Sequence, residues 1–246
     1  MNQLRAIGFD LFNTLITFEP EASDKAMDCL ISDLRKSYPS IQRESFEHAH
    51  WDAAIGFIKK ARLDNRETHN RFWISAALKE LGYEASPDDP RVATAVDNYF
   101  SAFPEYCCLI PGTGEMLNAL KGSYRLGLLS NFTHAPAARE IIDVLGLNHF
   151  FDVVLISGEL GYRKPHPLVF GRLVEGLGVE SGQTLFVGDD PEPDISGAMC
   201  AGLHPVWMTY VRDQGLTHAR EKGPGFDVPR ISCWKDLLSL LKGDNI

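Results

Sequence analysis

Four loops in this chain each follow an apolar run and carry groups capable of chemistry. Asp10 closes the run 4–9 and is followed by Phe12, Asn13 and Thr14. Ser130 and Asn131 close the run 124–130 (YRLGLLS). Lys164 lies in the loop 157–167 (SGELGYRKPHP) after the run 151–156, and Asp189, Asp190 and Asp194 follow the run 183–188 (QTLFVG). The fifth run, 204–208, is followed by nothing comparable. Carboxylates gathered beside Asp10 repel one another and take up protons unless a divalent cation neutralises them. Oxygen-only ligands suit Mg²⁺, which keeps waters and takes substrate phosphate oxygens as further ligands. A hydroxyl, an amide N–H and a lysine are donors suited to a tetrahedral anion. A carboxylate nucleophile beside bound Mg²⁺ can accept a phosphoryl group as a mixed anhydride, which divides hydrolysis into two steps. The residues alone therefore point to metal-assisted hydrolysis of an anionic ester.

Such groups converge only if the elements before them are parallel, because ligands bind beyond the carboxyl ends of strands in an open α/β sheet. The later chain has that grammar. Helical patterns at 113–121, 135–146, 167–177, 194–202 and 234–242 alternate with the strands, and the strands are nearly continuous apolar runs, as in a buried parallel sheet. Between the first and second strands lie four helical patterns, 21–36, 43–61, 66–82 and 89–103. In the first, Ala26, Met27, Leu30, Ile31 and Leu34 recur at three- and four-residue spacings. Gly82 closes the third as a C-terminal cap, and Pro90 sits in the first turn of the fourth. The first strand thus has no partner nearby and must join the later sheet. We expect an α/β core from 1–16 and 106–246, with an all-helical unit inserted at 17–105. Residues 11–20 read as irregular and 212–230 as a polar, Gly/Pro-rich surface loop.

Composition narrows the function. The 246 residues hold 33 acidic against 24 basic side chains, a net charge of −9 that supplies no basic excess for coating nucleic acid. With 44% hydrophobic and 23% charged residues the chain reads as an ordinary soluble globular protein. No apolar run reaches the ~18 residues of a membrane span, and residues 1–12 do not read as a signal peptide. Five cysteines without a C-x-x-C pair read as core-filling thiols in a reducing cytoplasm.

The segments FDLFNTL (9–15), LLSN (128–131), GYRKPHPLVF (161–170) and VGDDPEPDISGA (187–198), in that order and at strand ends, resemble the four motifs of the haloacid dehalogenase (HAD) superfamily. The inserted helices resemble the C1-type cap of its subfamily I. The resemblance implies a Rossmann-like three-layer core with a parallel sheet and a hydrolase, most often a phosphatase, acting on a small phosphorylated molecule. It implies Asp10 as nucleophile, with Ser130 and Asn131 binding the transferring group, Thr14 beside it and Lys164 neutralising it. It further implies Mg²⁺ held by Asp10, the backbone carbonyl of Phe12 and Asp189, with Asp194 standing behind these ligands. The expected partner is a small-molecule substrate, with no nucleic acid and no membrane, for a cytoplasmic monomer or homodimer.

One position departs from the family pattern. Its phosphatases carry Asp-x-Asp, and the second Asp is the general acid/base; here that position is Phe12. Losing a placed acid costs ~10²–10⁴ in rate. Three readings follow. The first is a Mg²⁺-dependent phosphatase that is slow, uses good leaving groups or recruits His134 or His166 as acid. The second is a 2-haloacid dehalogenase-like enzyme, since halide leaves without a proton. The third is a silent scaffold that binds a phosphorylated ligand or a protein. Against the second stands the Gly-Asp-Asp run at 188–190, which the resemblance to dehalogenases does not include, and an uncompensated acidic cluster would repel a substrate carboxylate. Asp189 and Asp194 also fit plain caps of a helix beginning near 194.

Overall fold

Ala6–Phe9 is a stretch of four buried residues, which a strand achieves only when both its edges and both its faces are covered. A computed structural model, which describes residues 4–216, 225 and 227–243, shows how this comes about. The first elements are β1 (Ala6–Phe9), β2 (Ile16–Phe18), α1 (Ala22–Ser37), α2 (Arg43–Asp64), α3 (Asn70–Glu80), α4 (Pro90–Phe100) and β3 (Cys107–Leu109). Then come α5 (Thr113–Leu120), β4 (Arg125–Ser130), α6 (Ala135–Val144), β5 (Val153–Ile156), α7 (Ser157–Leu160), α8 (Pro167–Leu177) and β6 (Thr184–Gly188). The chain continues through α9 (Gly197–Cys200), β7 (His204–Met208), α10 (Tyr210–Asp213), β8 (Arg230–Ile231) and α11 (Trp234–Lys242).

Six strands form one parallel sheet in the order β5-β4-β1-β6-β7-β8, so β1 is central. Phe9 is level with Leu128 on one side and Val187 on the other. That register brings Asp10, Ser130 and Gly188 out at the same end of the sheet. The α/β expectation for the fold therefore holds. On one face Leu173 and Leu177 of α8 pack with Leu129 and Phe186 in a fully buried cluster, each such side chain contributing ~1.5–3 kcal/mol. A Cβ on Gly127 would lie 2.6 Å from the Leu173 side chain, so the strand is glycine where the helix presses closest.

The chain divides into two compact units. One comprises Met1–Thr17, Cys108–Asn131 and Leu145–Ile246; the other comprises Phe18–Cys107 and Phe132–Val144. In the second unit α1 packs on α4 and α2 on α3, while α6 lies against the 3₁₀ turn Phe103–Tyr106. Thus α6, which follows a core strand in sequence, clusters with the helices. Asp89 caps α4 by accepting from the Arg91 N–H, with Pro90 at its first position. Gly82, at φ +84°, follows α3 as expected.

Several boundaries differ from the sequence reading. The stretch 11–20 is not wholly irregular, because β2 pairs with β3 in a two-stranded sheet where the chain leaves one unit and later returns. Helix α2 runs to Asp64 and is ended by Asn65 in the left-handed conformation (φ 53°). The helix expected from 194 starts at Pro191 as a π-helical turn, Pro191–Ser196, before narrowing into α9. Within the polar stretch 212–230, residues 217–224 and 226 lie outside the described residues. Of the five cysteines, all free, only Cys107 is buried, so the core-filling reading holds for that one alone. No helix is long and apolar enough to cross a membrane among the described residues.

Candidate active site

At the end of β1 the Asp10 N–H donates to the Val187 carbonyl at 2.9 Å, carrying the ladder one residue past the strand. Asn13 then takes the left-handed conformation (φ 60°) and donates its N–H to the Ile16 carbonyl at 2.7 Å. This turn folds Thr14 back over Asp10, and its hydroxyl donates to Oδ2 at 3.1 Å. The other oxygen, Oδ1, accepts from Lys164 Nζ at 2.6 Å. Both carboxylate oxygens are thereby held and the plane of the group is set.

Lys164 is itself gripped through its backbone. Asn131 Nδ2 donates to its carbonyl at 3.0 Å, and Asn131 Oδ1 accepts from its N–H at 2.8 Å. The side chain is buried, crosses the face of Phe186 at 5.3 Å from the ring centre, and lies 2.7 Å from Asp194 Oδ1. Burial alone would discharge it, but Asp10 and Asp194 reverse that effect and hold the ammonium above its ordinary range. Asp10 rises from 3.8 to about 6, chiefly through burial and further through Asp194, with Lys164 pulling the other way.

Asp189 and Asp194 reach the same place from the loop after β6. Asp194 lies so close to the strand end that a Cβ on Gly188 would stand 2.4 Å from its side chain, so only glycine fits there. Asp194 Oδ2 accepts from the Asp190 N–H at 3.0 Å. One carboxylate oxygen from each of Asp10, Asp189 and Asp194 lies within 4.8 Å of the others. Burial, together with Asp194, Asp10 and Asp190, pushes Asp189 well above the usual carboxylate range. Three carboxylates against one buried ammonium leave an excess of negative charge, and the donors are oxygen only. This set fits a hard divalent cation such as Mg²⁺.

A cavity of about 210 Å³ opens over these groups and is also lined by Phe12, Asn13, Asn131, Arg163 and Asp190. Ser130 Oγ is fully buried at the end of β4 and has no hydrogen-bond partner among the described residues. Orphaned buried hydroxyls are rare and cost free energy unless a ligand or water satisfies them.

The structure brings together Asp10, Thr14, Asn131, Lys164, Asp189 and Asp194, and Phe12 lines the same cavity. Thr14 and Asn131, expected to face the substrate, hydrogen-bond instead to Asp10 and to the Lys164 backbone. The plain capping reading fails for Asp194, which lies inside the helical turn; Asp190 is the cap, accepting from the Glu192 N–H. Among the described residues, no histidine lines the cavity. His166 caps α8 by accepting from the Leu168 N–H, and its ring lies tilted against Tyr162. His134 is in the helical unit, where Nε2 meets Asp97 at 3.2 Å and the ring stacks on Phe100. Nothing comparable is expected after β7, and what β7 brings comes from the strand itself: Trp207 Nε1 donates to the Asp189 carbonyl at 2.9 Å. A side chain on the strand rather than in the loop after it escapes a reading that inspects only loops. Asn13 and Arg163, to which the sequence reading gives no role, also line the cavity.

The model of the haloacid dehalogenase-like hydrolases matches residues 4–202. Pyrimidine 5'-nucleotidase YjjG of Escherichia coli (strain K12) is 33% identical over 223 residues, covering 89% of each chain. Among solved structures, the 2-haloacid dehalogenase of Pseudomonas syringae pv. Tomato DC3000 superposes with a TM-score of 0.73 at 22% identity, over 98% of this chain and 99% of that one. The putative HAD-hydrolase YfnB of Bacillus subtilis, bound to magnesium, superposes at 0.66 and 22% identity over 100% of both chains.

Proposed function

This chain belongs to the haloacid dehalogenase-like hydrolases, and we propose that it is a Mg²⁺-dependent phosphatase of small phosphorylated metabolites working through an aspartyl-phosphate on Asp10. The observation that carries this reading is the trio Asp10, Asp189 and Asp194, with carboxylate oxygens within 4.8 Å of one another. Those residues, with the Phe12 carbonyl, are assigned to hold the cation, which when bound offsets the charge of the phosphoryl group. Asp10 attacks phosphorus and the bond to the leaving oxygen breaks. Water then attacks the phosphorus of the mixed anhydride, releasing phosphate and restoring the carboxylate. Lys164 supplies positive charge to the transferring oxygens, and the unpartnered Ser130 hydroxyl is a donor for one of them. The helical residues 17–105 are assigned as the cap that selects the substrate, and the cytoplasm as its compartment.

Phe12 has no proton to give, so the leaving group decides the rate. Acyl and aryl phosphates depart without help, whereas an alkyl ester must take its proton from water. Phe12 also supports a second reading, displacement of halide from a 2-haloacid, in which no leaving-group proton is needed. The test is release of phosphate from acetyl phosphate, para-nitrophenyl phosphate and a pyrimidine nucleoside 5'-monophosphate, with and without Mg²⁺, beside release of halide from 2-chloropropionate. Mg²⁺-dependent phosphate release is expected. Halide release independent of metal overturns the phosphatase reading, and inactivity on every ester despite Mg²⁺ binding favours a silent scaffold. Phe12→Asp is expected to raise turnover of the nucleotide ~10²-fold; an unchanged rate means another acid already serves.

A further inference from the structure

The peptide that joins Asp189 to Asp190 is held at both ends. Its carbonyl accepts from Trp207 Nε1 at 2.9 Å, and its N–H donates to Asp194 Oδ2 at 3.0 Å. One peptide plane therefore sets the direction in which the Asp189 side chain leaves the backbone and also holds the Asp194 carboxylate. The geometry points to Trp207 as the positioning residue of the acidic trio: its indole N–H fixes this plane and so presents Asp189 and Asp194 to a divalent cation. This rests on the assignment of the trio as the cation site.

Trp207 is well placed for that work. It lies on β7 level with Gly188, the last residue of β6, so its ring stands beside the loop it holds. The guanidinium of Arg212 lies 5.5 Å from the indole centre and that of Arg230 lies 5.7 Å away. Cations over an indole are attracted to its electron-rich face, and by drawing on that density they make the N–H a better donor. Arg230 is fixed in turn, donating from Nε to Thr209 Oγ1 at 3.1 Å and pairing with Asp213 at 2.5 Å, while the Thr209 hydroxyl donates to Asp213 at 2.7 Å. Beyond β7 the chain thus builds a bracket around one ring. The Asp189 carboxylate itself has no hydrogen-bond partner among the described residues, so its orientation depends on its backbone. Partners behind metal ligands commonly affect affinity by 10- to 100-fold although they never touch the ion.

The test is calorimetric titration of Mg²⁺ into the full chain, with no substrate present. Trp207→Phe keeps an aromatic ring under the two arginines and removes the donor. A chain carrying 3-benzothienylalanine at 207 keeps the bicyclic shape and loses only the N–H, which covers the case where phenylalanine packs badly. Both are expected to bind Mg²⁺ about tenfold more weakly, while their unfolding midpoints in metal-free buffer stay near that of the wild type. Affinity within about twofold of wild type in the isostere overturns the positioning role, as does a fall in stability without a change in affinity. If the wild-type chain itself binds no Mg²⁺, the cation assignment fails and the inference with it, an outcome distinct from equal binding by wild type and variants.

Discussion

In the α/β unit Lys164 reaches Asp10 and Asp194 at 2.6 and 2.7 Å, and the three residues are only 2%, 6% and 2% exposed. In the helical unit Arg43 meets Asp28 and Glu47 with its side chain 36% exposed, and Lys36 meets Asp33 with its ammonium side 72% exposed. The helical unit buries imidazoles, His50 and His134, and His50 lies among the rings of Phe46, Trp73 and Tyr99. Burial lowers it to about 4, so it is neutral. One unit buries a lysine in contact with carboxylates; in the other the cations Arg43 and Lys36 stay open to water, and burial pushes the two buried imidazoles below their ordinary range. A fold gains little by burying an ion pair in place of apolar side chains, so the buried set in the α/β unit is explained by chemistry and not by stability.

Three measurements break or sharpen that contrast. The largest effect is expected from Lys164→Met, which leaves Asp10 and Asp194 buried without their cation. Urea denaturation at pH 7 in metal-free buffer should show a loss of ~3–5 kcal/mol. A loss below ~1 kcal/mol would mean that the carboxylates are better solvated than their burial implies. A smaller effect comes from His50. Its folded value, about 4, lies below its ordinary 6.5, so below pH 6.5 the unfolded chain takes up a proton that the folded chain refuses. Stability from this source is intact above 6.5 and drains away as the pH falls toward 4. At pH 4.5 the difference between wild type and His50→Phe should amount to ~2–3 kcal/mol relative to pH 7. The smallest effect is expected from Arg43→Ala, whose unfolding midpoint should match that of wild type, because exposed ion pairs contribute little. If Arg43→Ala proves as costly as Lys164→Met, the contrast between the units fails.

Much of this arrangement could be read from the amino-acid order. Asp10, Ser130 and Asp189 end or follow apolar runs that pair side by side, and chemistry at strand ends needs no knowledge of distant contacts. The helical patterns of 21–36 and 89–103 were visible for the same local reason, since residues three and four apart share a face. What could not be read depends on pairing across long separations or on backbone detail. Strands β2 and β3 have three residues each and lie some ninety positions apart in the chain, too short for a periodic signal. The turn at Pro191 widens to π geometry, and no composition rule marks that. Trp207 looks like one more apolar residue in a buried strand until its N–H is seen to meet a carbonyl eighteen positions earlier.

The central place of β1 has a consequence for how the protein is made. Ala6 pairs with Arg125 on one edge and Thr184 on the other. During synthesis the strand that carries Asp10 therefore leaves the ribosome with neither neighbour in existence. Its first edge waits for 119 further residues (125 − 6) and its second for 178 (184 − 6). The helices between can gather meanwhile, because their contacts are mostly near in sequence, whereas closing a sheet around an early strand is slow and exposes apolar surface. Nascent chains arrested before residue 125 should present Ile7 and Phe9 to chaperones, with protection only after β6 has emerged. Asp10 is thus synthesised long before the strands that enclose the end of β1.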